Sequence, residues 1–367
     1  MKAVICQNRT PTLVTDRPLP RLRDDYVLVR TVAVALNPTD WKHATFGIAD
    51  DNNLLGCDFA GVVEEVGPKV TKSFAKGDEV LGVAHGGCPE QPEDGAFAEY
   101  IVTKGDVLMK RPHGLSFEKA STVSLGAITC GQGLFQKALK LNLPDDPVTS
   151  SKPFVLIYGG STATGSLGIQ LATLAGYSVL TLCSPKHFDK AKSLGAVEAF
   201  DYREANVGAK IRDYTQDSLK YAWDTFGKDE SAQICADALS SSAAAAEGCV
   251  YGCVLPTKCP RPDVHSISTV MYTMFNETFS MRGTEFPASL EDFEFAKKFM
   301  ALFETLLAEG KIQTHSEVVG ADGLEGVIDG LEKLKSGQVS GQKLVYRVGE
   351  TPWTQKGLLE GDAVTNM

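Results

Sequence analysis

The sequence is short of several things, and each shortage narrows what the chain does. No stretch approaches the ~18 unbroken apolar residues of a membrane helix. The first residues, Met1-Lys2-Ala3-Val4-Ile5-Cys6, run straight into Gln7-Asn8-Arg9-Thr10, so no signal-peptide core is expected. Positive charge is scarce: 36 Lys and Arg stand against 46 Asp and Glu, a formal net charge of −10. An acidic surface repels phosphate backbones and anionic headgroups, which argues against nucleic acid or a membrane as partner. Cysteines are too scattered for a disulfide framework. The nine of them, an odd number, lie apart and often in apolar runs, the pattern of reduced thiols in a cytoplasmic protein. There is no internal repeat. Only 240–246 is of low complexity, and it reads as a helix start.

What is present centres on one stretch. Phe154-Val155-Leu156-Ile157-Tyr158 is an apolar run suited to a parallel strand covered on both faces. Gly159-Gly160-Ser161-Thr162-Ala163-Thr164-Gly165 follows as a small-residue turn, and a helix follows that. Strand, turn and helix in this order begin a dinucleotide-binding unit, in which pyrophosphate lies against backbone N–H groups at a helix N-terminus. The fingerprint lacks its middle glycine, where this chain has Thr162. The hydroxyls of Thr162 and Thr164 are expected to donate to phosphate instead. Gly160, Ser161, Thr162, Ala163, Thr164 and Gly165 are therefore the candidate cofactor-binding loop.

The rest of the chain divides around this stretch. Residues 1–125 carry short β-branched runs punctuated by glycine, such as 26–36, 59–67, 77–82 and 95–102, and predict a partly closed β-domain. Residues 126–287 alternate strands (154–158, 178–183, 199–202, 221–225, 248–255) with helices, which predicts a doubly wound parallel sheet. Residues 288–367 open on Ser289-Leu290-Glu291-Asp292, a capping signal. Phe293, Ala296, Phe299, Met300, Phe303, Leu306 and Leu307 then form one apolar face. A second helix is expected over Gly323–Lys335, then a strand from Lys343, then a polar tail from 351 that frays. The fold class is α/β.

Four landmarks in this order resemble the medium-chain dehydrogenase/reductase superfamily across nearly the whole chain. They are Gly56-Cys57-Asp58-Phe59-Ala60-Gly61 with Gly67, the turn Gly77-Asp78-Glu79-Val80, Gln170-Leu171-Ala172 with Gly176, and Gly341-Gln342-Lys343-Leu344-Val345. The loop 159–164, Cys183-Ser184-Pro185 and Phe200-Asp201-Tyr202-Arg203 narrow the likeness. They are most similar to the zinc-free quinone-oxidoreductase branch, and within it to fungal trans-acting enoyl reductases of polyketide synthases. The resemblance implies a GroES-like catalytic domain from 1–125, completed by 288–367, and a Rossmann domain at 126–287.

Zinc-dependent members of that superfamily hold their catalytic metal with Cys, His and Cys. Here those positions fall on Asn37, Cys57 and the neighbourhood of Leu125, and one soft ligand does not make a zinc site. The structural-zinc region, 86–94, has the single Cys88 in place of four cysteines. No metal is expected.

The cofactor expected is NADPH. NAD enzymes carry a carboxylate about 20 residues past the glycines, at the end of the second strand. This chain has Cys183-Ser184-Pro185-Lys186-His187 there, a hydroxyl and a cation suited to a 2′-phosphate. Tyr202 resembles a family tyrosine near that phosphate. In the cleft, Lys42 matches the lysine of trans-enoyl reductases and is the candidate to hold a developing enolate. Asn37 and Asp40 share its loop as candidates to contact the substrate, Asp40 either doing so or orienting the loop or pairing with Lys42. Thr129 resembles a residue beside the nicotinamide, although its hydroxyl is equally able to bond back to its own helix. Tyr272 and Phe275, with Met274 and Phe279, are candidates to wall an acyl channel. Among the histidines only His43 lies near this cleft. The resemblance implies NADPH-dependent reduction of an α,β-unsaturated acyl thioester on the carrier domain of a polyketide synthase, or of a synthase fused to a peptide synthetase. It implies a cytoplasmic enzyme, a monomer rather than a dimer. The alternatives are a quinone or free enone reductase with the same chemistry, and a non-catalytic NADPH-binding protein.

Overall fold

The structure is a computed structural model that describes residues 1–242 and 248–352. The expected helix start at 240–246 and the fraying tail therefore lie, from 243 to 247 and from 353 onward, outside the described residues. Two sheets carry the architecture. The first has seven strands, with Tyr26–Ala35 at its centre, flanked by Asp58–Val66, Tyr100–Lys104 and Lys343–Arg347. Lys343–Arg347 pairs antiparallel with Tyr26–Ala35 and parallel with Glu317–Gly320, so residues far along the chain complete a sheet begun near its start. This sheet does not close into a barrel.

The second sheet is six parallel strands. From one edge they are Ala196–Asp201, Ser178–Cys183, Phe154–Tyr158, Tyr221–Asp224, Cys249–Cys253 and Val264–Ser268. Numbered along the chain, the order is 3-2-1-4-5-6. The strand order reverses beside Phe154–Tyr158, and that switch point is where such sheets open a ligand crevice at their carboxyl ends. The sixth strand, Val-His-Ser-Ile-Ser, is one the sequence analysis does not anticipate; its mostly exposed pattern gives no apolar run to read.

Between the sheets lie the helix Ser124–Cys130, the π-turn Gly131–Gln136 and the long helix Leu290–Ala308. Ser289 caps the long helix by accepting from Asp292 N–H, and Ala296, Phe299, Met300, Phe303, Leu306 and Leu307 are buried along it. They join Trp223, Val155 and Ile157 from the parallel sheet and Cys57, Leu81 and Met109 from the first in one continuous core. Each large apolar side chain fully buried there contributes ~1.5–3 kcal/mol, so the cleft is walled by tightly packed elements. No helix among the described residues is long and apolar enough to cross a membrane.

Candidate active site

The loop after Phe154–Tyr158 is shaped by close packing. Gly159 has φ +92°, a conformation that side chains resist, and a Cβ there would lie 2.3 Å from Thr225 Oγ1. A Cβ on Gly160 would lie 2.1 Å from Thr181 Oγ1, and one on Gly165 would lie 2.1 Å from Gly159 O. Strand, turn and helix thus approach as only glycine allows. Thr162 corrects the sequence expectation. Its hydroxyl donates to Gly159 O at 2.8 Å, accepts from Gly165 N–H at 2.9 Å and meets Thr225 Oγ1 at 3.2 Å. It caps the helix Ala163–Leu174 and ties it to the neighbouring strand end, which leaves it no free proton for a phosphate. Ser161, Ala163 and Thr164 are half-buried at the helix entry. The remaining free N–H groups at the start of this 12-residue helix fit a bound pyrophosphate.

Gly160→Ala is expected to part the first two strands of the unit. Thr181 is fully buried and already donates to Ile157 O, so it has nowhere to move. A loss of ~1–3 kcal/mol is expected for such overpacking. It would be read as a lower thermal midpoint together with weaker binding of a nicotinamide cofactor in a fluorescence titration.

Around this loop stand the other cofactor candidates. Ser184 begins a short turn, Pro185–His187, yet its hydroxyl makes no cap bond, and Lys186 is exposed beside it. Tyr202 is 39 % exposed at the end of the third strand, its ring 6.4 Å from that of Tyr158. His187 packs against Gly341, where a Cβ would sit 2.4 Å from the imidazole, and its Nε2 lies 3.2 Å from Ser340 Oγ. The Gly341 segment therefore reaches across to the phosphate loop's side of the cleft.

On the opposite wall is the helix Pro38–Thr45. Asp40 folds back to accept from Asn37 N–H at 2.7 Å, which fixes the helix start. Asn37 itself is withdrawn from the cleft, contrary to expectation. Its Nδ2 donates to Asp58 Oδ2 at 3.0 Å and its Oδ1 accepts from Lys343 Nζ at 2.8 Å. Lys343 also pairs with Asp58 at 2.5 Å, with side chains 3 % and 0 % exposed, and Asp58 Oδ1 accepts from Leu125 N–H at 2.7 Å. Two of the three positions that the sequence analysis aligned with metal ligands, Asn37 and Leu125, are thus joined here by a buried ion pair. Among the described residues no three His, Cys, Asp or Glu side chains gather as a metal set.

Asp40 is buried, does not pair with Lys42, and leaves Oδ1 without a hydrogen-bond partner. Burial is the main reason its carboxyl is pushed up to about 7. Lys42 is half-buried and forms no ion pair among the described residues. Burial lowers its pKa, and the cations Arg282 and Lys228 lower it further. Arg282 stands in the two-residue turn between Phe279–Met281 and Thr284–Phe286, its guanidinium 5.2 Å from the Phe46 ring centre. Sequence reasoning missed both cations, since nothing local marks a surface lysine or a turn arginine as facing a cleft.

Thr129 takes the second of the two courses open to it: its hydroxyl donates to Leu125 O at 2.7 Å, four residues back in its own helix, so it has no proton to offer a ligand. Tyr272 and Phe275 come together in the turn Met271–Phe275, but both are buried against His85. The His85 ring stacks 3.9 Å from Tyr272 at 11° and 6.1 Å from Phe275, with Phe279 edge-on. Tyr272 OH lies 3.0 Å from Thr39 Oγ1 and 3.6 Å from Cys57 Sγ. His85 enters the site with no sequence signal, because its partners are far away in the chain. Burial holds His43 and His85 below the usual imidazole range, His43 at about 4, so both are neutral at neutral pH.

A six-strand doubly wound sheet with a glycine-rich loop at its switch point, set against a GroES-like sheet, defines a medium-chain dehydrogenase/reductase. Residues 23–113 match the alcohol dehydrogenase GroES-like domain family. The chain is 47% identical over 350 residues to a trans-enoyl reductase of Aspergillus sclerotiorum, covering 92% of this chain and 96% of that one. It is 39% identical over 345 residues to the enoyl reductase component of the lovastatin nonaketide synthase of Aspergillus terreus, covering 90% and 91%. Among solved structures it is similar in fold to the quinone oxidoreductase of Coxiella burnetii, with a TM-score of 0.67, 24% identity and 95% and 99% coverage. The chain belongs to the trans-enoyl reductase family.

Proposed function

We propose that the protein is an NADPH-dependent, trans-acting enoyl reductase that reduces an α,β-unsaturated acyl thioester carried by a polyketide synthase carrier domain in the cytoplasm. Residues 126–287 are the cofactor-binding part, and 1–125 with 288–367 the substrate-handling part. The observation that carries the reading is Lys42, a half-buried ammonium with no carboxylate partner among the described residues, which feels Lys228 just beyond the strand paired with Phe154–Tyr158. When bound, NADPH supplies a hydride for the β-carbon of the substrate. Lys42 donates a hydrogen bond to the thioester oxygen as negative charge grows there, and the field of Arg282 and Lys228 reinforces it. Gly160, Ser161 and the first N–H groups of the helix Ala163–Leu174 hold pyrophosphate, with Thr162 keeping the loop in shape. Ser184, Lys186 and Tyr202 surround the 2′-phosphate.

The reading is tested by incubating the protein with NADPH and a crotonyl thioester, free or carrier-bound, and in parallel with a simple quinone. The butyryl thioester is the expected product, formed faster than quinone is reduced. Absence of saturated thioester from every enoyl substrate would refute it. The choice of cofactor has its own test. Removing a charge-assisted contact costs ~1.5–3 kcal/mol, so Lys186→Ala is expected to raise the NADPH dissociation constant roughly tenfold or more while leaving that for NADH unchanged. Equal weakening of both would move Lys186 away from the 2′-phosphate.

A further inference from the structure

Reduction of an enoyl thioester needs a proton at the α-carbon as well as a hydride at the β-carbon, and Lys42, placed at the thioester oxygen, does not supply it. One group of side chains on and against the helix that bears Lys42 is suited to that task. Thr39 and Lys42 are three residues apart on the helix Pro38–Thr45 and so share a face. Thr39 Oγ1 lies 3.0 Å from Tyr272 OH, and Tyr272 OH lies 3.6 Å from Cys57 Sγ. Cys57 in turn neighbours Asp40, and the thiol is the one polar side chain that reaches its carboxyl, whose buried Oδ1 has no other hydrogen-bond partner among the described residues. A buried carboxyl so sparsely bonded is costly in a folded protein, and the thiol and the phenol beyond it form a route along which its proton can travel.

We propose that the Tyr272 hydroxyl is the proton donor to the substrate's α-carbon, that Thr39 orients it, and that Cys57 and Asp40 refill it. This rests on the enoyl-thioester reading. In the step, the enolate's electron pair forms the new Cα–H bond while the Tyr272 O–H bond breaks. The Cys57 thiol proton crosses to the tyrosine oxygen, and the Asp40 carboxyl proton crosses to sulfur. The resulting carboxylate regains its proton from water once the cleft empties. Tyr272 is the catalytic residue of this set, and Thr39, Cys57 and Asp40 are positioning residues.

The charges around the group agree with that direction of flow. The Cys57 thiol is held well above its ordinary pKa by burial and by Asp40, so it stays protonated until it acts. Asp40, pushed up to about 7, carries a proton for much of the time near neutral pH. Of the other groups facing this cluster, Asp58 is bound to Lys343, and His43 and His85 are neutral and bring no competing imidazolium. The stack of Tyr272 on His85 fixes the phenol ring and with it the direction of its hydroxyl.

The test is the reaction in deuterium oxide with NADPH and a crotonyl thioester. Wild-type protein is expected to place one deuterium on the α-carbon in a single configuration. Tyr272→Phe keeps the ring and its stack and removes the hydroxyl. Its expected result is turnover lower by ~10²-fold or more, α-deuterium in both configurations, and unchanged NADPH affinity. Retention of a single configuration at wild-type turnover would overturn the proposal. Should Tyr272→Phe bind NADPH poorly through misfolding, Cys57→Ala decides. Slower turnover with an altered solvent isotope effect and a single-faced label supports the relay, whereas wild-type turnover with an unaltered isotope effect removes it. Wild-type protein that labels both faces also contradicts a positioned donor. Wild-type protein that reduces no enoyl thioester at all fails the underlying reading and the proposal with it. Normal wild-type reduction with unaffected variants fails the proposal alone.

Discussion

Lys42→Ala is expected to lower turnover by ~10²–10³-fold, the loss usual when a preorganised donor to a developing oxyanion is removed, and to leave NADPH affinity unchanged. The reason is electrostatic. Lys42 lies partly out of water beside two further cations, Arg282 and Lys228, and among the described residues it faces no carboxylate that would neutralise it. An ammonium so placed is costly with the cleft empty. It gains most when negative charge arrives at the thioester oxygen, and stabilisation of that kind acts on rate more than on ground-state binding. Lys42→Arg keeps the charge but changes the shape of the donor, so partial activity is expected. Single-turnover absorbance measurements together with a fluorescence titration of NADPH separate the two effects. Unchanged turnover in Lys42→Ala would take this residue out of the reaction.

The second large effect concerns stability. Lys343→Met is expected to cost ~3–5 kcal/mol, because it leaves Asp58 as a buried, uncompensated carboxylate. Lys343 Nζ is the hub of this network, bound to Asp58 Oδ2, to Asn37 Oδ1 and, at 3.4 Å, to Thr122 O. The strand bearing Lys343 closes the first sheet against the strand Tyr26–Ala35, so loosening it also loosens the wall that carries Lys42. Pairing the change with Asp58→Asn removes the stranded charge and is expected to recover a good part of the loss. Thermal midpoints of the two single variants and the double variant measure the coupling. Additive losses would mean that the pair is not a unit.

Some of this was legible in the sequence, for physical reasons. Phe154–Tyr158 and its glycine turn could be read because an apolar strand followed by small residues has few other solutions. The helix Gly323–Lys335 was expected within the same bounds, and the structure shows Leu324, Val327 and Leu331 buried along it at helical spacing. The helix Leu290–Ala308 announced itself through its cap and its apolar face. The hairpin Phe279–Met281 with Thr284–Phe286 did not, since strands of three residues carry no period. The candidate site was legible by residue type more than by role. Asn37 and Thr129 are hydrogen-bonded into the framework, and Thr162 is a helix cap rather than a phosphate donor. Which way a hydroxyl or amide turns depends on partners brought by distant segments, such as Lys343 for Asn37 and Thr225 for Thr162. His85, Lys228 and Arg282 join the site in the same way, by tertiary placement that no local pattern encodes.

The central claim is hydride transfer to an enoyl thioester in the cleft between the two sheets. Its most direct measurement uses NADPH deuterated at the transferable position and a crotonyl thioester on a carrier domain, with the product followed by mass spectrometry and NMR. One deuterium is expected at the β-carbon of the butyryl product, formed faster than a simple quinone is reduced. A saturated product without label at the β-carbon, or no saturated product while quinone is reduced, would contradict it.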